Sequence, residues 1–337
     1  MEKKLYMPTI LTYHQINPSQ WQNLIETSPT ATWFQTPEAY QFYQSVSEMC
    51  PFAYGVAQED KLVGVVVGYI TQEKNPIKQF LTRRAIIIGG PLLADDINEN
   101  ALTKLLMIVV AMGNSPIYIE TRNFHDYSRW KNVFEQCGWK YQPHLNFHVD
   151  TTTTEIIEQN LGKSRKRDIK TSLRDGATVV ENPTIEQVRS YYVLLKNLYA
   201  TKIKTPLFSL NFFENLYHHT NGHFVLIEKD NEIIGGTVCV ELPNKCLYEW
   251  FVCGRDGEWK SIFPSSLATY AGICYAEKLN CKRFDMMGAG TPEEAYGVRD
   301  FKARFGGELV EHGRYLCIRK PILYNIGKLG VKLLKKR

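Results

Sequence analysis

Two stretches, "FAYGVAQEDKLVGVVVGYI" at 52–70 and "HFVLIEKDNEIIGGTVCVELPNKCLYEWFVCG" at 223–254, set the tightest limit on how this chain can fold. Each is a series of near-continuous apolar runs broken by short polar turns: Gln58-Glu59-Asp60-Lys61 in the first, Asp230-Asn231 and Pro243-Asn244 in the second. Runs of that length with turn residues between them read as buried antiparallel strands, because a helix would scatter the apolar side chains around its axis. A chain with two such meanders needs two sheets.

The surroundings of the two meanders are alike. "ATWFQTPEAYQFY" (31–43) reads as a short strand into a helix, with Thr36 as N-cap and Pro37 at the first helical position. After the first meander come the strand "RRAIIIGGPLL" (83–93), the helix "ENALTKLLMIVVAMGN", the strand "PIYIET", and the helix "YSRWKNVFEQCGW" closed by Gly138. The second meander follows helices at 184–200 and 209–219, and precedes a long helix (264–279), a strand "RFDMMG" (283–288), a short helix around Phe301 and a last strand "YLCIRK". The pattern predicts two copies of one α+β unit. Residues 1–150 form the first, 151–318 the second, and 319–337 a basic tail.

A length of 337 residues suits two domains of ordinary size, and 44% hydrophobic residues suffice for two cores. The start "MEKKLYMPTILTYHQINPSQ" is interrupted by Pro8, His14 and Asn17 before an apolar core of a secretion signal can form. No run approaches the ~20 apolar residues of a membrane span. A cytoplasmic protein is expected, its eight scattered cysteines reduced and mostly buried, since no C-x-x-C pair occurs.

The net charge of +5 is modest, but the cations are clustered. In "NLGKSRKRDIKTSLRDGATVV" (160–180), helical spacing puts Lys163, Lys166, Arg167, Lys170 and Arg174 on one stripe, with Ile169 and Leu173 as the docking edge and Gly176 as the cap. Like charges so weakly mixed with carboxylates repel one another unless something anionic offsets them, which points to a pyrophosphate or an RNA backbone. A solvated helix face is the plain alternative. The tail "RKPILYNIGKLGVKLLKKR" puts Ile322, Ile326, Leu329 and Leu333 on one face and Lys328, Lys332, Lys335 and Lys336 on another, a pattern suited either to an anionic membrane surface or to packing on the body.

Several chemistries lack their signatures. There is no G-x-x-x-x-G-K-[ST], no G-x-G-x-x-G after a strand, no H-E-x-x-H and no G-x-S-x-G. His218, His219 and His223 have no further ligand cluster nearby in sequence, so no metal is expected.

The order "FQTPEAY", "GGPLL", "GKSRKRDIKTSLRDGATV", "FVLIEKDNEIIGGTV", "LYEWFVCG", "RFDMMGAG" and "GVRDFKARFGG" resembles, along nearly the whole chain, the Fem family of non-ribosomal peptidyltransferases (FemA/FemB/FemX-like) and related acyltransferases. The resemblance implies tandem GNAT-like domains with mixed sheets, without the coiled-coil arm of some members. No sustained heptad occurs between 180 and 223. It also implies transfer of an aminoacyl group from aminoacyl-tRNA to an amine of a cell-wall peptidoglycan precursor, lipid-linked or nucleotide-linked, with neither metal nor covalent intermediate.

Phe301 and Lys302 match the family's F-K pair, where the lysine is held to stabilise charge on the acyl carbonyl and the aromatic to position the donor. An ammonium is most effective there if water is excluded. Phe301 and Phe305 lie four residues apart and anchor the short helix, which places Lys302 at the rim of their packing. Glu120, ending "IYIE", matches an acidic position that contacts the acceptor and could act as base; Lys202 and Lys204 fall where members contact substrate phosphates. Tyr248 and Trp250 of "LYEWFVCG" and Arg304 beside the F-K pair complete the substrate-binding candidates.

Two departures matter. "QFYQ" (41–44) lacks the lysine typical of users of nucleotide-linked acceptors, and "RDGEWKSIFPSS" lacks the [RQ]-x-x-G-x-[GA] loop that holds the pyrophosphate of acyl-CoA. The alternatives are an acyl-CoA-dependent N- or O-acyltransferase acting on a polysaccharide or lipid-linked sugar, and a non-catalytic RNA-binding or membrane-peripheral protein.

Overall fold

The computed structural model describes residues 7–113 and 116–335, except the side chains of residues 330–335. The chain forms two compact units, residues 1–143 with 312–337 and residues 144–311.

In the first unit, β1 (Thr9–Thr12), α1 (Pro18–Thr27) and α2 (Pro37–Ser45) precede the hairpin β2 (Met49–Gln58) and β3 (Lys61–Thr71). Its turn residues Glu59 and Asp60 have φ of 49° and 64°, the left-handed pair that matches the twist of tightly joined strands. Next come α3 (Pro76–Thr82), β4 (Ala85–Gly89), β5 (Leu92–Leu93), the crossover helix α4 (Glu99–Ala111), β6 (Tyr118–Asn123), α5 (Lys131–Gln136) and β7 (Lys140–Gln142). The strand expected at the start of 31–43 is instead a buried 3₁₀ turn, Trp33–Gln35. Side chains satisfy its polar groups: Trp21 donates to the Gln35 carbonyl at 2.9 Å, and the Gln35 amide donates to the Gly90 carbonyl at 2.6 Å. A strand ladder is not needed there. The expected cap holds, with Thr36 Oγ1 accepting from the Ala39 amide at 3.1 Å.

The second unit runs β8 (Leu145–Asp150), α6 (Thr154–Asn160), α7 (Lys163–Arg174), β9 (Thr178–Val180), α8 (Ile185–Leu198) and α9 (Leu210–Tyr217), a π-helical turn at Tyr199–Ile203 following α8. The meander β10 (Gly222–Lys229), β11 (Glu232–Leu242) and β12 (Cys246–Gly254) is followed by α10 (Pro264–Lys278), β13 (Arg283–Asp285), α11 (Gly297–Ala303) and β14 (Glu308–Glu311). Asp230 and Asn231 make the first turn with φ of 50° and 64°. The chain then returns to the first unit as β15 (Arg314–Ile318) and α12 (Pro321–Lys335).

The first sheet is ordered β1-β2-β3-β4-β6-β15-β7, with β5 on β3, and the second β14-β8-β13-β12-β11-β10-β9. Both are mixed. In each, a helix crosses from the third strand of a meander to a parallel neighbour: α4 from β4 to β6, α10 from β12 to β13. Leu102, Leu105 and Val109 of α4 are buried in one core, Leu267, Ala268 and Ala271 of α10 in the other.

The strand "YLCIRK", read from sequence as part of the second domain, pairs with β6 and β7 in the first sheet. The second unit begins at His144, not 151. The strand expected over 283–288 ends at Asp285, because Asp285 Oδ1 accepts from the Met287 amide at 2.8 Å and turns the chain out. Met287 and Gly288 follow at φ of 51° and 104°.

Candidate active site

Burial of a lysine ammonium is costly unless its N–H groups are bonded and a counter-charge stands near. Lys302 meets both conditions. Its side chain turns inward from α11, only 7% exposed, and Nζ donates to the carbonyls of Met286 and of Gly288, the latter at 2.7 Å. The rim position expected from sequence is thereby corrected to an interior one: the bend after β13 presents two carbonyls inward, and the lysine follows them. Two of its three N–H groups are engaged, and burial pushes its pKa down, with the carboxylates of Glu249 and Asp285 opposing.

Glu249 lies where β12 and β13 part. The two strands pair only over Cys246–Tyr248 and Arg283–Asp285, so Glu249 is the first residue of β12 beyond the ladder. It is 3% exposed, and Oε1 accepts from Thr269 of α10 at 3.0 Å and Thr237 of β11 at 3.3 Å. Oε2 has no hydrogen-bond partner among the described residues. Burial pushes this carboxyl's pKa up, and Lys302 opposes the shift. The next residue, Trp250, is the extra one of a bulge, because β11 pairs Cys239 with Glu249 and Val238 with Phe251. A bulge re-aims backbone groups beside a ligand site.

Asp285 supports the same bend. It is fully buried, accepts from Asn146 Nδ2 at 2.7 Å and lies 3.1 Å from His148 Nε2, and its pKa is held down at about 2, the His148 and Asn146 contacts and Arg283 outweighing the opposing effect of burial.

The remaining expected residues are placed as follows. Phe301 is half-buried beside Phe305, ring centres 5.2 Å apart, and the guanidinium of Arg165 lies 4.4 Å from its ring centre. Lys163, Lys166, Arg167, Lys170 and Arg174 are all exposed on α7, while Arg165, Asp168, Ile169 and Ser172 form its buried side. Leu173, expected to dock the helix, is 46% exposed; Ser172 takes that role, accepting from the Phe263 amide at 2.9 Å. Gly176 ends the helix at φ 92° as expected. Tyr248 is buried, Trp250 stacks on Phe251 at 5.9 Å, and Arg304 is exposed at the end of α11. Lys202 and Lys204 are exposed around the π-helical turn, Lys204 at φ 56°.

Glu120 belongs to the first unit, buried on β6, with Arg314 at 2.7 Å and Arg122 at 3.5 Å. The arginines hold its pKa down against the opposing effect of burial. A carboxylate so paired is a weak base, which counts against the role expected of it. Glu249, Asp285 and Arg165 were not singled out from sequence. An acid inside "LYEWFVCG" was the available signal, since a carboxylate in an apolar strand is rarely buried without a task.

A family model described as "Acetyltransferase (GNAT) domain" matches residues 163–302. No curated protein matched the sequence. Among solved structures, FemX is similar with TM-score 0.71 at 13% identity, over 94% of this chain and 99% of that one. The C-terminal domain of a putative lysylphosphatidylglycerol synthetase from Agrobacterium fabrum is similar with TM-score 0.58 at 10% identity, over 93% and 95%. A tandem GNAT protein from the clavulanic acid biosynthesis pathway is similar with TM-score 0.55 at 10% identity, over 92% and 98%. The chain therefore has the tandem GNAT fold, two α+β units with mixed sheets, of the FemX type.

Proposed function

We propose that the protein is an aminoacyltransferase that moves an aminoacyl group from aminoacyl-tRNA to an amine of a peptidoglycan precursor. The observation that carries this reading is the buried ammonium of Lys302 with one N–H uncommitted among the described residues, at the parting of β12 and β13. The amine attacks the acyl carbonyl of the tRNA ester, a C–N bond forms, and the carbonyl oxygen takes negative charge. The free N–H of Lys302 donates to that oxygen, and the low-polarity surroundings strengthen the interaction. Collapse breaks the ester C–O bond, and the proton lost by the amine ends on the departing ribose oxygen. The exposed cations of α7 hold the tRNA backbone. The match to FemX over nearly the whole chain supports the donor class.

A second reading, transfer from acyl-CoA to a polysaccharide or lipid-linked sugar, is favoured by the acetyltransferase family model over 163–302. Transfer assays with aminoacyl-tRNA and with acyl-CoA, each with and without ribonuclease, separate the two. Ribonuclease-sensitive transfer is expected; insensitive transfer from acyl-CoA overturns the tRNA reading.

A further inference from the structure

A short surface helix ordinarily turns its apolar side inward and its polar side to water. Helix α3 does the reverse. Its inward contact is polar, Gln79 Nε2 donating to the Thr71 carbonyl at 3.0 Å, and Asn75 caps its start by accepting from the Ile77 and Lys78 amides at 3.0 and 3.1 Å. Ile77, Phe80 and Leu81, at i, i+3 and i+4, point outward, and α3 has no buried residue.

Helix α12 touches α3 and likewise turns apolar side chains outward. Leu323 and Tyr324 are half-buried, Tyr324 edge-on to Tyr118 at 5.4 Å, whereas Ile322, Ile326 and Leu329 form a second apolar face that is exposed. The six outward side chains range from 45% exposed at Leu81 to 77% at Ile322. Lys320 bridges the two helices, its Nζ 5.6 Å from the centre of the Phe80 ring.

Charge decides what covers this face. Residues 73–84 and 319–329 together hold seven Lys and Arg and a single carboxylate, Glu73, which pairs with Lys78 at 2.8 Å. A second copy of the chain laid on the same patch would bring these cations against each other. A nucleic acid would take the charge but leave the aliphatic side chains in water. A surface that is anionic at the headgroups and apolar beneath satisfies both.

We propose that α3 and α12 form one docking surface for an anionic lipid bilayer, with Ile77, Phe80, Ile322, Ile326 and Leu329 entering the interface and the surrounding lysines meeting the headgroups. This goes beyond the transfer reading and does not rest on it, because lipid binding requires no turnover.

Flotation of the full chain with vesicles of phosphatidylcholine alone, or with added phosphatidylglycerol, tests it. Binding to the anionic vesicles is expected to be at least tenfold tighter than to the neutral ones and to weaken as salt rises. The substitutions Ile322→Ser, Ile326→Ser and Leu329→Ser together, or Phe80→Ser alone, should weaken it at least tenfold with the melting temperature unchanged, since these side chains are already in water. Absence of vesicle binding by the full chain overturns the proposal, as do equal affinity for neutral vesicles and variants that bind as the parent does. So does sedimentation showing a dimer that the same substitutions dissociate.

Discussion

The two units solve one construction problem differently. In the first, the parallel neighbours joined by the crossover helix, β4 and β6, are paired over five residues, Ala85–Gly89 with Ile119–Asn123, the full length of β4. In the second, β12 and β13 pair over three, and the remaining six residues of β12 have no strand partner on that side among the described residues. The buried carboxylates differ in step. Glu120, inside the closed junction, is matched by arginines, and Glu249, just past the end of the short one, keeps an oxygen uncommitted. A closed junction pairs its polar groups within the ladder; a parted one, propped by a buried lysine, leaves polar groups outside it.

The largest effect should come from removing that prop. Lys302→Ala leaves two buried carbonyls without a donor and removes the cation that favours ionised Glu249, at about 1–3 kcal/mol for each carbonyl left unsatisfied. Urea unfolding measures it. Lys302→Met with Glu249→Gln should recover part of the loss, because no charge then remains unbalanced. A double variant no more stable than Lys302→Ala would show that the two groups do not act as a pair. On the proposed function, transfer should fall roughly 10²–10³-fold, the usual cost of losing one oxyanion donor.

Asp285 makes the second unit sensitive to acid. Its folded pKa of about 2 lies below the ordinary value of 3.8, so its stabilisation is present above pH 3.8 and is lost as pH falls towards 2. A depression of that size corresponds to about 2 kcal/mol. Urea midpoints taken from pH 5 to pH 2 should fall more steeply for the parent than for Asp285→Asn. Equal slopes would mean that the Asn146 and His148 contacts do not favour the ionised form.

A smaller change is expected in the closed junction. Glu120→Gln retains a hydrogen bond to Arg314 but removes the charge that balances the arginines, a cost of about 1 kcal/mol. Glu120 also has a depressed pKa, so this contribution should be present above the ordinary carboxylate range and disappear as pH falls through the lowered value. If the first unit is scaffold, the rate of transfer by Glu120→Gln should match the parent once both are folded. A large drop in rate would move chemistry into the first unit and break the comparison.

The sequence was informative wherever a feature is local. Glu59-Asp60 and Asp230-Asn231 announced the tight turns, Thr36-Pro37 a helix start, and "GVRDFKARFGG" a lysine with a fixed position. Distant pairings were not legible: β15 joins β6 almost two hundred residues earlier in the chain, and nothing within "YLCIRK" marks which sheet will take it. β13 stopped early because of a side-chain-to-backbone bond at Asp285 that periodicity does not register. Arg165 is the instructive case. It lies within a basic run, and only the packing of Phe301 and Phe305 beneath it distinguishes this buried cation from its solvated neighbours.

That distinction yields the smallest effect on stability and a clear functional one. Lys163, Lys166 and Lys170 are exposed on α7 and make no ion pair among the described residues, whereas Arg165 packs on two rings and bonds to Asp168 at 3.1 Å. Reversing the three lysines to Glu should therefore change stability by no more than about 0.5 kcal/mol at each site. On the proposed function, any loss of tRNA affinity then comes from the surface itself. Each phosphate contact removed lowers the dependence of log affinity on log salt by about 0.7–0.9, so the triple variant should flatten that slope by about 2–3. Arg165→Glu should do the opposite, lowering stability while making little direct difference to the slope, because its cation faces Phe301 and not solvent. If the slope of the triple variant equals the parent's, the stripe is a solvated helix face, and the contrast between buried and exposed cations on α7 is one of folding alone.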